Sequence, residues 1–152
     1  MRRILFVCTG NTCRSPMAEA LFRAKVEGQG VEVKSAGVAA YDGQPASQHA
    51  LQVLRDRGIL HQHQSQRLHD ELVSWADVIL TMTLHHKELI HTFFPEAVEK
   101  TFALHEFVGN GSKDIGDPFG GGLDTYQRCA IEIDEALEKL QTRITEEHHT
   151  NR

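Results

Sequence analysis

Ile4-Leu5-Phe6-Val7-Cys8-Thr9-Gly10-Asn11-Thr12-Cys13-Arg14-Ser15-Pro16 carries an apolar run, a polar turn and the opening of a helix, and its reading decides the fold. Four apolar residues bounded by turn formers predict a strand buried on both faces. Met17, Ala20, Leu21 and Ala24 recur at helical spacing, so 17–26 reads as a helix. Ser15 has the chemistry of an N-cap, and Pro16 suits the first helical position, where its missing N–H costs nothing. The connection is therefore short. Such a turn aims unpaired backbone N–H groups and the positive end of the helix dipole into its hollow, so an anion held there is favoured. That anion is the Cys8 thiolate or a tetrahedral oxyanion above it, and Arg14 adds a fork that matches two phosphate oxygens.

A free cysteine is ordinarily a small buried hydrophobe, and Gly10 and Asn11 are ordinary turn residues. Chemistry is indicated by the combination: Cys8 at a strand end, Arg14 six residues on, then a cap and a proline. A nucleotide P-loop is excluded, because Gly10 is followed by neither a second glycine nor Lys-Ser/Thr. A zinc finger does not fit either, since no ordered His pair follows Cys8 and Cys13 at finger-like spacing.

The 152 residues are 40% apolar and 24% charged, which suits one domain, 1–152, with an ordered core over 1–145 and a polar tail, 146–152, expected to fray. No run is long enough for a membrane span, and no signal-like segment opens the chain. Three cysteines argue against a disulfide framework and for a reducing compartment, so a cytoplasmic protein is expected, a monomer by default. A net charge of −5 leaves no electrostatic footprint for nucleic acid. Among the ten histidines, His61, His63, His85, His86, His148 and His149 read as solvated imidazoles rather than metal ligands.

Gly28 and Gly30 stop the first helix, and 31–35 alternates as a second strand, completing a βαβ unit. This topology puts the loop at the carboxyl edge of a parallel sheet, where open α/β folds bind ligands. The segment 38–45 borders that edge, and its Tyr41 is either a pocket wall or a packing anchor. Helices are expected over 46–57 and 70–75, a buried strand over 77–82, a crossover helix over 84–94 ended by Pro95, and a short strand at Phe102 and Ala103. The stretch 107–122 is irregular, glycine-rich and contains Asp117-Pro118-Phe119. A last helix, 123–144, turns Tyr126, Ala130, Ile133, Leu137, Leu140 and Ile144 to one side. The fold class is α/β: three layers, with a central four-stranded parallel sheet and helices on both faces. A thiolate under an anion cradle invites attack on phosphorus, and Asp117, aimed by Pro118, is the candidate to protonate a leaving group.

The Cys8–Pro16 loop, the Ser35-Ala36-Gly37 element and the late Asp117-Pro118-Phe119 together resemble the low-molecular-weight protein tyrosine phosphatases, in order and over nearly the whole chain. The resemblance implies that Cys8 is the nucleophile, that Arg14 binds phosphate and the transition state, and that Asp117 is general acid and then base. It implies phosphate contacts from Thr9, Gly10, Asn11, Thr12 and Cys13, a strained loop held by Asn11, a Ser15 hydrogen bond to the thiolate, and a reversible Cys8–Cys13 disulfide. No cofactor and no metal is implied, because backbone amides and Arg14 neutralise charge.

Thr12 stands where tyrosine-specific members carry an aliphatic residue, and Phe119-Gly120 where they carry tyrosine. Thr12 and Phe119 therefore join Tyr41 as residues of substrate choice, and the pattern resembles the bacterial protein-arginine phosphatases within the family. A phosphoguanidinium has N–H donors that need acceptors, whereas a phenyl ring needs an apolar slot. The expectation is a protein phosphoarginine phosphatase acting on phosphorylated proteins and opposing a bacterial arginine kinase under stress. Phosphotyrosine specificity, arsenate reduction and a silent phosphoresidue-binding module are the alternatives. The reductase lacks its relay cysteines, since 76–91 has none, and the module would need neither thiol nor acid.

Overall fold

The structure, a computed structural model, describes residues 1–150, with side chains through 147. Four parallel strands, β1 (Arg3–Cys8), β2 (Glu32–Gly37), β3 (Val78–Thr81) and β4 (Thr101–Ala103), lie in the order β2-β1-β3-β4. The chain leaves β1 to one side for β2 and returns to the other side for β3, so the sheet's topological switch point lies between β1 and β3. Loops at the carboxyl ends of those strands diverge there and open a crevice.

Strand alternation sorts the core. Ile4, Phe6 and Cys8 face α1 (Arg14–Lys25), α2 (Gln48–Asp56) and α6 (Leu123–Thr150), while Leu5 and Val7 face α3 (Asp70–Trp75) and α4 (Leu84–Phe93). Both sets are buried, which is why β1 reads as an unbroken apolar run. Phe6 and Phe22 meet edge to face across the first layer, ring centres 5.9 Å apart. A 3₁₀ turn over Pro95–Lys100 leads into β4, and one further helical turn, α5 (Leu104–Phe107), precedes the irregular stretch. No helix among the described residues is long and apolar enough to cross a membrane.

Two expectations fail locally. Ser15 does not cap α1: the helix begins at Arg14, the cap position falls on Cys13, and no side chain caps it. The Ser15 hydroxyl is taken up inside the loop instead. The last helix does not end at 144: α6 continues to Thr150, with Glu147 paired to the amino terminus. Residues 151 and 152 lie outside the described residues.

The end of β2 seats the loop that follows β1. Val38 N–H donates to the Cys8 carbonyl at 3.0 Å and Ala39 N–H to the Thr9 carbonyl at 2.9 Å. The approach needs a residue without a side chain, since a Cβ on Gly37 would stand 2.4 Å from the Thr9 carbonyl oxygen and 2.9 Å from the Asn11 nitrogen. Gly37→Ala is expected to lower the unfolding free energy by about 1–3 kcal/mol, read from urea denaturation midpoints at unchanged m-value.

Candidate active site

Loop 9–13 crosses the carboxyl end of β1, and every part of it is tied to a different element. Thr9 Oγ1 lies 2.8 Å from Nε2 of His86 on α4. The Thr12 carbonyl accepts from the N–H of Ser47, the α2 cap, at 2.8 Å. Cys13 Sγ is 3.3 Å from the Tyr126 hydroxyl on α6. Asn11 carries a left-handed backbone, φ 57°, and is fully buried.

Proton accounting fixes the inner network. The backbone N–H of Gln66 only donates, so the atom it meets at 3.0 Å is Oδ1 of Asn11. Nδ2 then donates to Ser15 Oγ at 2.8 Å and to Ser35 Oγ at 2.9 Å. Each serine, having accepted, has one proton left to give. Ser15 points at Cys8 Sγ, 2.8 Å away, and Ser35 donates to Glu19. A hydroxyl proton aimed at sulfur makes a charge-assisted hydrogen bond whenever the sulfur carries negative charge. The first N–H groups of α1 add to this, since helix geometry leaves them without an internal acceptor.

The resulting cleft, about 240 Å³, is floored by Cys8, Thr9, Gly10, Thr12, Cys13 and Arg14 and walled by Asp117 and Phe119. Arg14 is buried, and its guanidinium donates to the Ile115 carbonyl at 2.8 Å, leaving Nη2 3.8 Å from Asp117. The acid loop is pinned by Ile115 N–H to the Met82 carbonyl at 2.8 Å, and Phe119 N–H closes a turn on the Asp117 carboxylate at 3.0 Å. Asp117 itself stands more than half exposed at the mouth. A thiol, a fixed cation and a reachable carboxyl group therefore share one opening.

Two expected site residues do not line the cleft. The side chain of Asn11 is buried and bonded to Ser15 and Ser35. Tyr41 is 76% exposed; its segment has no apolar period by which to aim it. Phe119, 78% exposed, does form the rim.

The solvated reading fits exposed His85 but not His86 or His63, and the side chains of His148 and His149 lie outside those described. His86 is buried, and the His63 ring packs against the loop with Nε2 2.6 Å from the Asn11 carbonyl. A polar neighbourhood in sequence gave no hint of this; only the buried face of α4, one turn after its Thr83 cap, marks His86. Tyr126 was placed on the buried face of α6, but its hydroxyl contact with Cys13 was not. Burial, reinforced by the Cys13 hydrogen bond, pushes its pKa up to about 12, so it remains a neutral donor. Cys129 is likewise buried, its thiol pushed up to about 12, and it touches the Gly116 carbonyl rather than the cleft.

Residues 3–150 match the family model described as low molecular weight phosphotyrosine protein phosphatase. The protein-arginine-phosphatase of Geobacillus stearothermophilus is 53% identical over 144 residues, covering 92% of this chain and 97% of that one. The solved YwlE arginine phosphatase from the same organism superimposes with a TM-score of 0.97 at 47% identity, covering 100% of this chain and 98% of its own. A YwlE arginine phosphatase mutant with a phosphorylated active-site serine gives 0.91 at 43% identity, covering 94% and 95%.

Burial first, then the charge of Arg14, lowers the pKa of His86 from 6.5 to about 4. Its Nδ1 has no hydrogen-bond partner among the described residues, so the single proton of the neutral ring belongs on Nε2, donated to Thr9, whose own proton is left for the cleft. As pH falls from 6.5 to about 4 the unfolded chain binds a proton that the folded chain refuses. The stability of the neutral ring is thus complete above that window and is lost on descending through it, by up to roughly 3 kcal/mol. His86→Asn is expected to flatten the slope of Tm against pH across the window, measured by scanning calorimetry.

Proposed function

This chain belongs to the low molecular weight phosphotyrosine protein phosphatase family, and from that premise we propose that it removes phosphate from arginine side chains of proteins through a cysteinyl-phosphate. The observation that carries the arginine assignment is Thr12 in the lining of the cleft that also holds Cys8, Asp117 and Phe119. A hydroxyl and a carboxylate there offer acceptors to guanidinium N–H groups, which a pocket lined only by apolar groups would leave unpaired. The name and 53% identity of the Geobacillus relative support the same assignment.

The reaction follows from the geometry. Cys8 Sγ attacks phosphorus while Arg14 and the loop amides hold the equatorial oxygens. The P–N bond breaks as the S–P bond forms, and Asp117 gives its proton to the departing guanidine nitrogen. That proton lets the side chain depart as guanidinium, the form in which so strong a base is stable near neutral pH. Water then attacks the cysteinyl-phosphate, Asp117 takes a proton back, and Cys8 leaves as the thiolate that Ser15 is oriented to receive. Arg14 and the amides do the charge neutralisation, so the reaction is assigned no cofactor.

The three free cysteines suit the reducing cytoplasm. There the enzyme would oppose an arginine kinase that marks proteins under stress. Cys8 and Cys13 in one loop suit oxidative inactivation by a mutual disulfide.

The test is kcat/KM on matched phosphoarginine and phosphotyrosine peptides. Wild type should favour phosphoarginine by about 10²-fold or more, and Thr12→Ile should shrink that ratio at least ~10-fold; a preference for phosphotyrosine overturns the assignment. Asp117→Asn should lower kcat by roughly 10²–10⁴ with the phosphoenzyme still formed by a good leaving group such as nitrophenolate.

A further inference from the structure

Glu19 on α1 and His61 and His63 between α2 and α3 each bring a ligand atom within 4.8 Å of the others. None of the three lines the cleft, and the reaction above uses none of them. The proton on His63 is placed by its neighbour: Nε2 meets the Asn11 carbonyl at 2.6 Å, and a carbonyl only accepts, so Nε2 carries the hydrogen. Nδ1 of the neutral ring then presents a lone pair 4.0 Å from Oε1 of Glu19, which presents more. His61 supplies a further lone pair, since its Nε2 is buried with no hydrogen-bond partner among the described residues. A second proton on His63 would not resolve this, because 4.0 Å is too long for a hydrogen bond to Glu19 and His61 would still be orphaned. One cation shared by all three satisfies every group.

We propose that Glu19, His61 and His63 form a binding site for a zinc-class divalent ion behind the phosphate loop. Two imidazoles and one carboxylate are a borderline donor set suited to zinc rather than to calcium or magnesium. Zinc–ligand bonds of roughly 2.0–2.2 Å put tetrahedral ligand atoms about 3.3 Å apart, so the widest pair closes by about 1.5 Å. His61 sits in a segment without helix or strand and lines a surface pocket of about 420 Å³. The His63-to-carbonyl bond is the outer contact that ligating histidines commonly make, fixing the tautomer. Arg23 opposes the ion from Oε2 of Glu19 at 2.6 Å, but its side chain is half exposed and already reaches the Val33 carbonyl at 2.7 Å. The bound ion would clamp α1 to the 61–63 segment, one hydrogen bond from the carbonyl of Asn11 and, through Ser35, from its carboxamide. It stiffens the loop whichever phosphorylated residue the cleft takes.

The experiment titrates Zn²⁺ against a chromophoric chelator in Cys8→Ser protein, which removes the cleft thiolate as a rival ligand. One equivalent should bind and raise Tm, and His61→Ala, which removes no hydrogen bond of the loop, should weaken binding at least ~10-fold. Co²⁺ in the same protein should give visible bands of a four-coordinate nitrogen and oxygen site without thiolate charge transfer. Absence of binding, binding unchanged by His61→Ala, or a thiolate band overturns the site. If His61→Ala fails to fold, Glu19→Gln takes its place with the same expectation, and the cobalt spectrum decides independently.

Discussion

Keeping a non-glycine residue in left-handed backbone costs roughly 1 kcal/mol or more, and Asn11 does so fully buried at φ 57°. Its carboxamide offsets that cost by meeting three polar groups that otherwise have no common partner: two serine hydroxyls and the Gln66 N–H. Because an amide separates donor from acceptor, it also sets direction. Both hydroxyls must accept from it, so each sends its one proton outward, Ser15 to the nucleophile and Ser35 to Glu19. An aspartate would fit the space with the wrong donors, and a glycine would supply the backbone shape with no donors at all. The loop's shape and the sulfur's hydrogen bond are one device.

A second device couples cation to acid. Arg14 is held by a carbonyl two residues before Asp117, and that carbonyl's own residue is anchored to the end of β3. Guanidinium and carboxylate therefore move as a unit with the 108–122 stretch. At 3.8 Å and partly in water, their attraction is modest, which keeps both groups available to a substrate entering between them. Thr12 holds its place through its carbonyl, and its hydroxyl lies 3.8 Å from Cys13 Sγ.

What could be read in advance follows the physics of short range and long range. The sheet, its parallel sense and the order of helices follow from apolar runs and punctuation, signals carried within a dozen residues. So do Cys8 and Arg14, which share one turn. Asp117 was placed only because a proline and a family resemblance marked it, since nothing local ties it to a site far along the chain. Ser15 was misjudged because capping is the common use of serine before a helix, and here a buried acceptor competes for the same hydroxyl. His63, His86 and Tyr126 escaped because their roles are contacts across the fold. Their polar or amphipathic settings in sequence say nothing about which atom they will meet. The extension of α6 to Thr150 likewise depends on packing, and on an ion pair with the other end of the chain.

The alternation of β1 has a consequence for how such a protein can change. Cys8 faces α1 only because it shares parity with Ile4 and Phe6. One residue inserted or deleted within the strand would turn the sulfur toward Leu5's face, away from Ser15 and the start of α1. The irregular stretches at 38–47 and 108–122 are under no such rule, and length there alters reach rather than handedness. The catalytic frame is thus read in steps of two. A lineage carrying it can trade loops freely but cannot drift by a single codon in its first strand.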